Sequence, residues 1–207
     1  MNTVWKLKKV ISNLLSEAKL YLPVRFGNIG VNSYVPFPHN IIGGKKIYIG
    51  DRVNIGKYSY LHAIEKYRNQ FFRPEILIGN DVYIGPKCYI AAVSRIQIQD
   101  GCVLSEEVYI SDVAHGLDPK SGLIMEQSLI SKGPVLIGKG CFIGLRAAIM
   151  PGVELGSHCI VASSAVVTQS YPDYSMLAGN PARLVKRYDP ESGNWVKVNA
   201  KGVNLND

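Results

Sequence analysis

Along residues 135–167 the aliphatic positions recur every six residues: Ile137, Ile143, Ile149, Leu155, Val161 and Val167. Four places after the first five stand Cys141, Ala147, Val153, Cys159 and Ala165. A strand alternates with period two and a helix repeats near 3.6, so neither element alone produces this spacing. The same period runs upstream through Ile29/Val35/Ile41, Ile49/Ile55/Leu61, Ile78/Ile84/Ile90 and Ile98/Leu104/Ile110. Several sets begin with an alternating pair, Ile47/Ile49, Ile76/Ile78, Ile96/Ile98 and Val135/Ile137, as a short strand does when it turns two side chains to one side.

Three hexads predict one triangular coil of three short strands and three corners, and stacked coils predict a prism. The fold class is therefore an all-β solenoid of about six triangular coils. The aliphatic residue faces inward. So does the small residue four places later, near a corner with little room. Glycines follow many aliphatic positions (Gly50, Gly56, Gly79, Gly85, Gly138, Gly144, Gly156), where a tight backbone turn is expected. All four cysteines, Cys88, Cys102, Cys141 and Cys159, fall in the small inward slot and read as buried hydrophobes. The interval from Ile137 to Leu155 is a plain coil, whereas Ile49 to Ile78 and Ile98 to Ile137 are too long. Insertions are expected near 62–75 and 112–134, outside the stack.

The ends break the pattern. In residues 1–23 the stretch 3–22 puts Val4, Leu7, Ile11, Leu14 and Ala18 on one face of an N-terminal amphipathic helix stopped by Pro23. It reads as a cap on the open end of the stack, with a basic helix lying on a membrane as the alternative. Residues 24–187 form the repeat domain, and 188–207 read as a polar tail.

Composition narrows the partners. The chain has 207 residues, 47% hydrophobic and 19% charged, with net charge +7, which is a globular balance. The positive charge collects at the two ends, and no nucleic-acid-binding signature accompanies it. Nothing approaches membrane-spanning length and no signal peptide is evident, so a cytoplasmic location is expected, with peripheral contact at the inner face of the membrane through the N-terminal helix as the alternative.

Four histidines carry the candidate chemistry. His39 lies among prolines, His62 opens an insertion and His158 sits at a corner; local structural roles suffice for these. A zinc hydratase would need three histidines converging on a metal, and His62, His115 and His158 lack ligand spacing, so no metal is expected. His115 follows a strand, precedes Gly116 and opens the longest insertion.

The stretch "GPVLIGKGCFIGLRAAIMPGVELGSHCIVASSAVVTQSYPDYSMLAGNPARLVKR", its "PGV" and "AGNPAR" endings and the "DxxHG" at Asp112–Gly116 resemble the hexapeptide-repeat acyltransferases. The likeness is to the sugar and polysaccharide O-acetyltransferases, related to galactoside and maltose acetyltransferases, and covers roughly 24–187. It implies a left-handed parallel β-helix, against the usual right-handed crossover. It also implies a homotrimer with sites between subunits, acetyl-CoA as donor and His115 as catalytic base. A sugar hydroxyl is too weak an acid to attack a thioester unaided, and a neutral imidazole can take its proton. The resemblance implies coenzyme A contacts along Gly144, Leu145 and Ser163, then Thr168 and Gln169, with Arg183 and Lys186 toward the phosphates. Phe142, in "FIG" where the family has "WIG", would touch the acceptor. The partner that fixes the His115 tautomer is left among Asp112, Glu154 and a backbone carbonyl, and Gly144 is the candidate oxyanion donor. The expected reaction is acetyl transfer to a sugar hydroxyl in surface polysaccharide or glycolipid synthesis. A non-catalytic scaffold and an antibiotic acetyltransferase are the alternatives.

Overall fold

The computed structural model describes residues 24–198; the expected N-terminal helix lies outside the described residues. From Ile47 onward the chain visits three sheets in rotation. Ile47–Ile49 joins the first, Asn54–Ile55 the third and Tyr60–Ala63 the second, and Glu75–Ile78 returns to the first. The first sheet runs Asn28–Ile29, Ile47–Ile49, Glu75–Ile78, Arg95–Ile98, Val135–Ile137, Glu154–Leu155. The second runs Asn40–Ile42, Tyr60–Ala63, Tyr89–Ala92, Tyr109–Ser111, Ala148–Ile149, Val166–Val167. Strands within each of these are parallel and paired hexad to hexad, for example Ile49 with Ile78 and Ile110 with Ile149. Three parallel sheets around one core fit the expected left-handed β-helix. Among the described residues there is no α-helix, only 3-10 turns at Gly44–Lys46 and Ile124–Glu126.

The period-six positions from Ile49 to Val167 fill the core as expected, whereas the first set does not: Ile29 is exposed and Val35 and Ile41 are only partly buried, because that coil is the open end of the described stack. Ile55, Ile84, Leu104, Ile143 and Val161 form one fully buried column, and the slots four residues later are buried too. The four cysteines are free thiols there, each donating to a carbonyl of the next coil, as Cys102 does to Gly138 at 3.0 Å. Burial pushes the Cys88 thiol up to about 11, so it stays protonated and inert.

The corner glycines have a different cause from the one expected. The left-handed turn position falls three residues after the aliphatic one and is often not glycine: Arg52, Tyr58, Asp81, Lys87, Glu107, Arg146, His158 and Ser164 all have positive φ there. The glycines sit earlier, where coils nearly touch. A Cβ on Gly50 would lie 2.6 Å from the Gly79 carbonyl oxygen, and one on Gly144 2.6 Å from Ser163 N. Stacking space, not backbone freedom, selects glycine at these positions.

The third sheet ends differently. After Ser175–Gly179 it continues antiparallel through Ala182–Asp189 and Asn194–Lys197. Residues 188–198, read from the sequence as loose tail, close this hairpin. An aromatic pile holds it down: His158 stacks on Tyr174 at 5.3 Å, Tyr174 meets Tyr188 at 5.7 Å and Tyr188 meets Trp195 at 5.6 Å.

Both insertions leave the second sheet. One follows Tyr60–Ala63 and forms a hairpin, Lys66–Tyr67 against Gln70–Phe71. The other follows Tyr109–Ser111 and closes through Ala114–His115 against Leu129–Ile130.

Candidate active site

His115 stands at the base of the long insertion, in register with Leu129 across a two-residue antiparallel pair. It is half-buried. Its Nδ1 is buried and has no hydrogen-bond partner among the described residues. The Tyr67 ring packs edge-on against it, with centroids 5.5 Å apart and planes at 72°. Beside it the loop outlines an open cleft of about 500 Å³, lined by Gly116, Asp118, Ser121, Glu126, Gln127 and Ile130, a size that suits a small ligand. Gln127 is nearly fully buried and shapes this loop: its Oε1 accepts from Asp118 N at 3.0 Å and its Nε2 donates to Asp118 O at 2.8 Å.

Neither carboxylate considered from the sequence orients His115. Asp112 is fully buried, and its two carboxylate oxygens accept from Val93 N and Ser94 N, each at 2.8 Å. Burial raises its pKa, and the backbone hydrogen bonds oppose that rise. Its role is to tie the start of the insertion to the preceding coil. Glu154 lies in the first sheet, in register with Leu136, because His115 has already left the coil when the five-residue offset is counted. Asp112→Ala should therefore act on stability. It strands the buried Val93 amide at about 1–3 kcal/mol and frees the exposed Ser94 amide to water, a loss that urea denaturation will register, and Asp112→Asn, keeping one acceptor, should lose less. Equal stability in all three proteins would contradict this role.

The residues expected to meet coenzyme A fall into two groups. Gly144, Leu145 and Ser163 share a corner of adjacent coils. The Gly144 N–H donates to Val161 O at 2.8 Å and so is not a free oxyanion donor. The neighbouring amides of Leu145 and Ser163 donate no hydrogen bond within the described residues, and both residues are exposed. Free donors at this corner are those two. Further on, Gln169 and Arg183 converge: Gln169 Nε2 donates to the Tyr171 hydroxyl at 3.0 Å, Tyr171 Oη donates to Ala182 O at 3.0 Å, and Arg183 Nη1 donates to the same carbonyl at 2.8 Å. Thr168 is exposed beside them, and Lys186 is on the hairpin in register with Met176. Phe142 is 44% exposed and continues an outward apolar row with Val103 and Tyr83. No hydrogen bond or ring contact joins the His115 loop to the Leu145–Ser163 corner within the described residues.

The other histidines are engaged locally. His62 Nε2 pairs with Asn40 Oδ1 at 3.0 Å, and burial lowers its pKa. His39 packs edge-on against Phe37 at 6.1 Å, and His158 stacks on Tyr174. Among the described residues no group of His, Cys, Asp or Glu could hold a metal ion. Sequence reasoning missed Tyr67 and Gln70, which lie in the first insertion and reach the second.

Comparison with known proteins bears on the fold that carries this site. The family described as a hexapeptide repeat of succinyl-transferase matches residues 134–169. A Mycobacterium tuberculosis protein named a probable acetyltransferase is 32% identical over 141 residues, covering 68% of this chain and 44% of its own length. The chain thus spans less than half of that relative. An Escherichia coli protein named for O-acetyl transfer in lipopolysaccharide biosynthesis, WbbJ, is 26% identical over 170 residues, covering 79% of this chain and 83% of its own. Among solved structures, a variant of AntD, an N-acyltransferase from Bacillus cereus in complex with dTDP and coenzyme A, aligns with TM-score 0.68 at 19% identity. That alignment covers 81% of this chain and 87% of AntD, and at such identity the likeness is one of fold.

Proposed function

We propose that this chain, which carries the hexapeptide repeat at residues 134–169 and is similar to proteins named as acetyltransferases, is a hexapeptide-repeat acyltransferase that transfers an acetyl group from acetyl-CoA to a sugar hydroxyl with His115 as general base. The observation that carries the reading is His115 itself: a histidine with Nδ1 buried, fixed on a strand pair beside an open cleft of about 500 Å³. A base needs an accessible lone pair, and with Nδ1 buried that nitrogen is Nε2.

In this mechanism Nε2 takes the hydroxyl proton as the oxygen attacks the thioester carbonyl carbon. The tetrahedral oxyanion collapses, the C–S bond breaks, and the leaving thiolate takes the proton back from His115. The products are the acetyl ester and free coenzyme A. The exposed amides of Leu145 and Ser163 suit the polar pantetheine arm, and Arg183, held beside Gln169, suits a phosphate. A left-handed coil and a homotrimer belong to the same reading. The outward row of Tyr83, Val103 and Phe142 is a surface that a second copy would cover, bringing the His115 loop of one subunit toward the Leu145–Ser163 corner of another. An acceptor in surface polysaccharide or glycolipid synthesis is in keeping with the WbbJ likeness, and a cytoplasmic site of action is part of the proposal.

Calorimetry with acetyl-CoA tests the donor half. The wild-type chain should bind, and Arg183→Ala should weaken binding by about 10- to 100-fold, the loss of one charge-assisted pair of roughly 1.5–3 kcal/mol. No heat and no thermal shift at saturating acetyl-CoA would sink the acetyltransferase reading in favour of a scaffold.

A further inference from the structure

The first insertion grips the second, and through it the histidine. Three side chains of the hairpin do so. Tyr67 Oη donates to Met125 O at 2.6 Å, Arg68 Nη1 donates to the same carbonyl at 3.3 Å, and Gln70 engages both backbone groups of Leu129. We propose that the hairpin Lys66–Tyr67/Gln70–Phe71 is a positioning clamp for His115, with Gln70 setting the strand opposite it and Tyr67 setting the tilt of its ring. The inference rests on the reading of His115 as the base.

The Gln70 contact is the more informative. Its Nε2 donates to Leu129 O at 3.0 Å while its Oε1 accepts from Leu129 N at 2.7 Å. A neighbouring strand would make the same two bonds with its own N–H and C=O, so one side-chain amide stands in for a third strand. Both backbone groups of Leu129 therefore face Gln70, away from His115. In an antiparallel ladder this makes His115 and Leu129 a non-hydrogen-bonded pair, in which the side chains come closest. The next rung agrees: Gly116 N donates to Ser128 O at 2.9 Å. Without Gln70 the Leu129 strand would be a two-residue edge, paired on one side only.

Tyr67 supplies what hydrogen bonding does not. A catalytic imidazole is commonly oriented by a partner on its second nitrogen. Here Nδ1 has none among the described residues and Asp112 is engaged elsewhere, so packing is left to set the ring angle. The Tyr67 ring packs edge-on against that imidazole, and its hydroxyl is anchored on the loop that His115 opens. Tyr67 and Gln70 sit 48 and 45 residues before His115 (115 − 67 and 115 − 70), yet they bound it on two sides.

Both are positioning residues, and a base displaced by about 1 Å loses on the order of 100-fold in rate. The test combines kinetics with two readouts that do not depend on turnover, all on the full chain. Gln70→Ala should speed hydrogen exchange at the Leu129 amide. Tyr67→Ala should move the His115 ring-proton resonances, and Tyr67→Phe, which keeps the ring, should leave them nearly in place. Both alanine variants should lower kcat by about 10- to 100-fold with KM for acetyl-CoA unchanged, and Tyr67→Phe should recover most of the rate. An unchanged Leu129 amide together with unmoved His115 resonances overturns the clamp. So does a kcat that holds while those signals move. If wild type transfers no acetyl group, the base reading falls and the positioning role falls with it; exchange and ring-proton data still decide whether the hairpin holds the loop.

Discussion

His115→Ala should lower acetyl transfer by about 10²- to 10⁴-fold while acetyl-CoA binding stays at the wild-type level. The two halves of this result follow from the geometry. Proton removal from the hydroxyl is what makes the acceptor a nucleophile, and no other imidazole stands at this loop. His62 is paired with Asn40, and His158 is stacked on Tyr174. The residues assigned to coenzyme A lie on the Leu145–Ser163 corner and around Arg183, without a bond to His115 in the same chain, so truncating the imidazole leaves them intact. Steady-state rates with a panel of sugar acceptors, set beside calorimetry on the same protein, measure both halves. A variant within about tenfold of wild-type rate would remove His115 from the chemistry, because general-base catalysis contributes at least about 100-fold. Parallel loss of binding would make it a donor-site residue instead.

The largest expected effect on stability is at Ile143. Its side chain is wholly buried, in register with Leu104 on one coil and Val161 on the next. Ile143→Ala should cost about 2–5 kcal/mol, the range for deleting a buried aliphatic side chain and leaving a cavity. In a stack where each coil touches only its neighbours, one inward side chain serves two interfaces, so the loss should lie toward the upper end. Phe142, the adjacent residue, points the other way and is 44% exposed, and Phe142→Ala should cost far less. Urea denaturation at one fixed protein concentration, compared through the midpoints, separates the two. Similar losses at both positions would mean that the inward and outward assignments do not govern stability.

Much of the fold is legible along the chain. The hexad register places the buried column and the four thiols because each inward position is decided by its own short stretch of backbone. The reason for the corner glycines is not legible, since the clash that selects them is with the next coil, as at Gly50 and the Gly79 carbonyl. The 188–198 hairpin is hidden for the same reason: polar in sequence, it is held by Tyr174 and Trp195 packing on Tyr188.

The meeting of the two insertions did leave a trace. Each follows the third hexad of its coil, after Leu61 and after Ile110, so both must leave the prism at the same corner with one plain coil between them. Counting hexads brings residues 62–75 and 112–134 to one place. It does not say that Tyr67 and Gln70 are the ones that touch, because an insertion has no repeat to set its register.

By itself, then, the sequence determined which side chains face inward from Ile49 onward, where the chain leaves the stack and which histidine opens the longest excursion, since spacing along the chain settles each of these. Tertiary structure alone decided what the polar groups bind. Asp112 caps amides 18 and 19 residues away, Gly144 donates to the next coil, and Gln70 reaches Leu129 across 59 residues. A hydrogen bond is directional and its donor can choose among many acceptors, so only the folded arrangement of distant strands selects the partner.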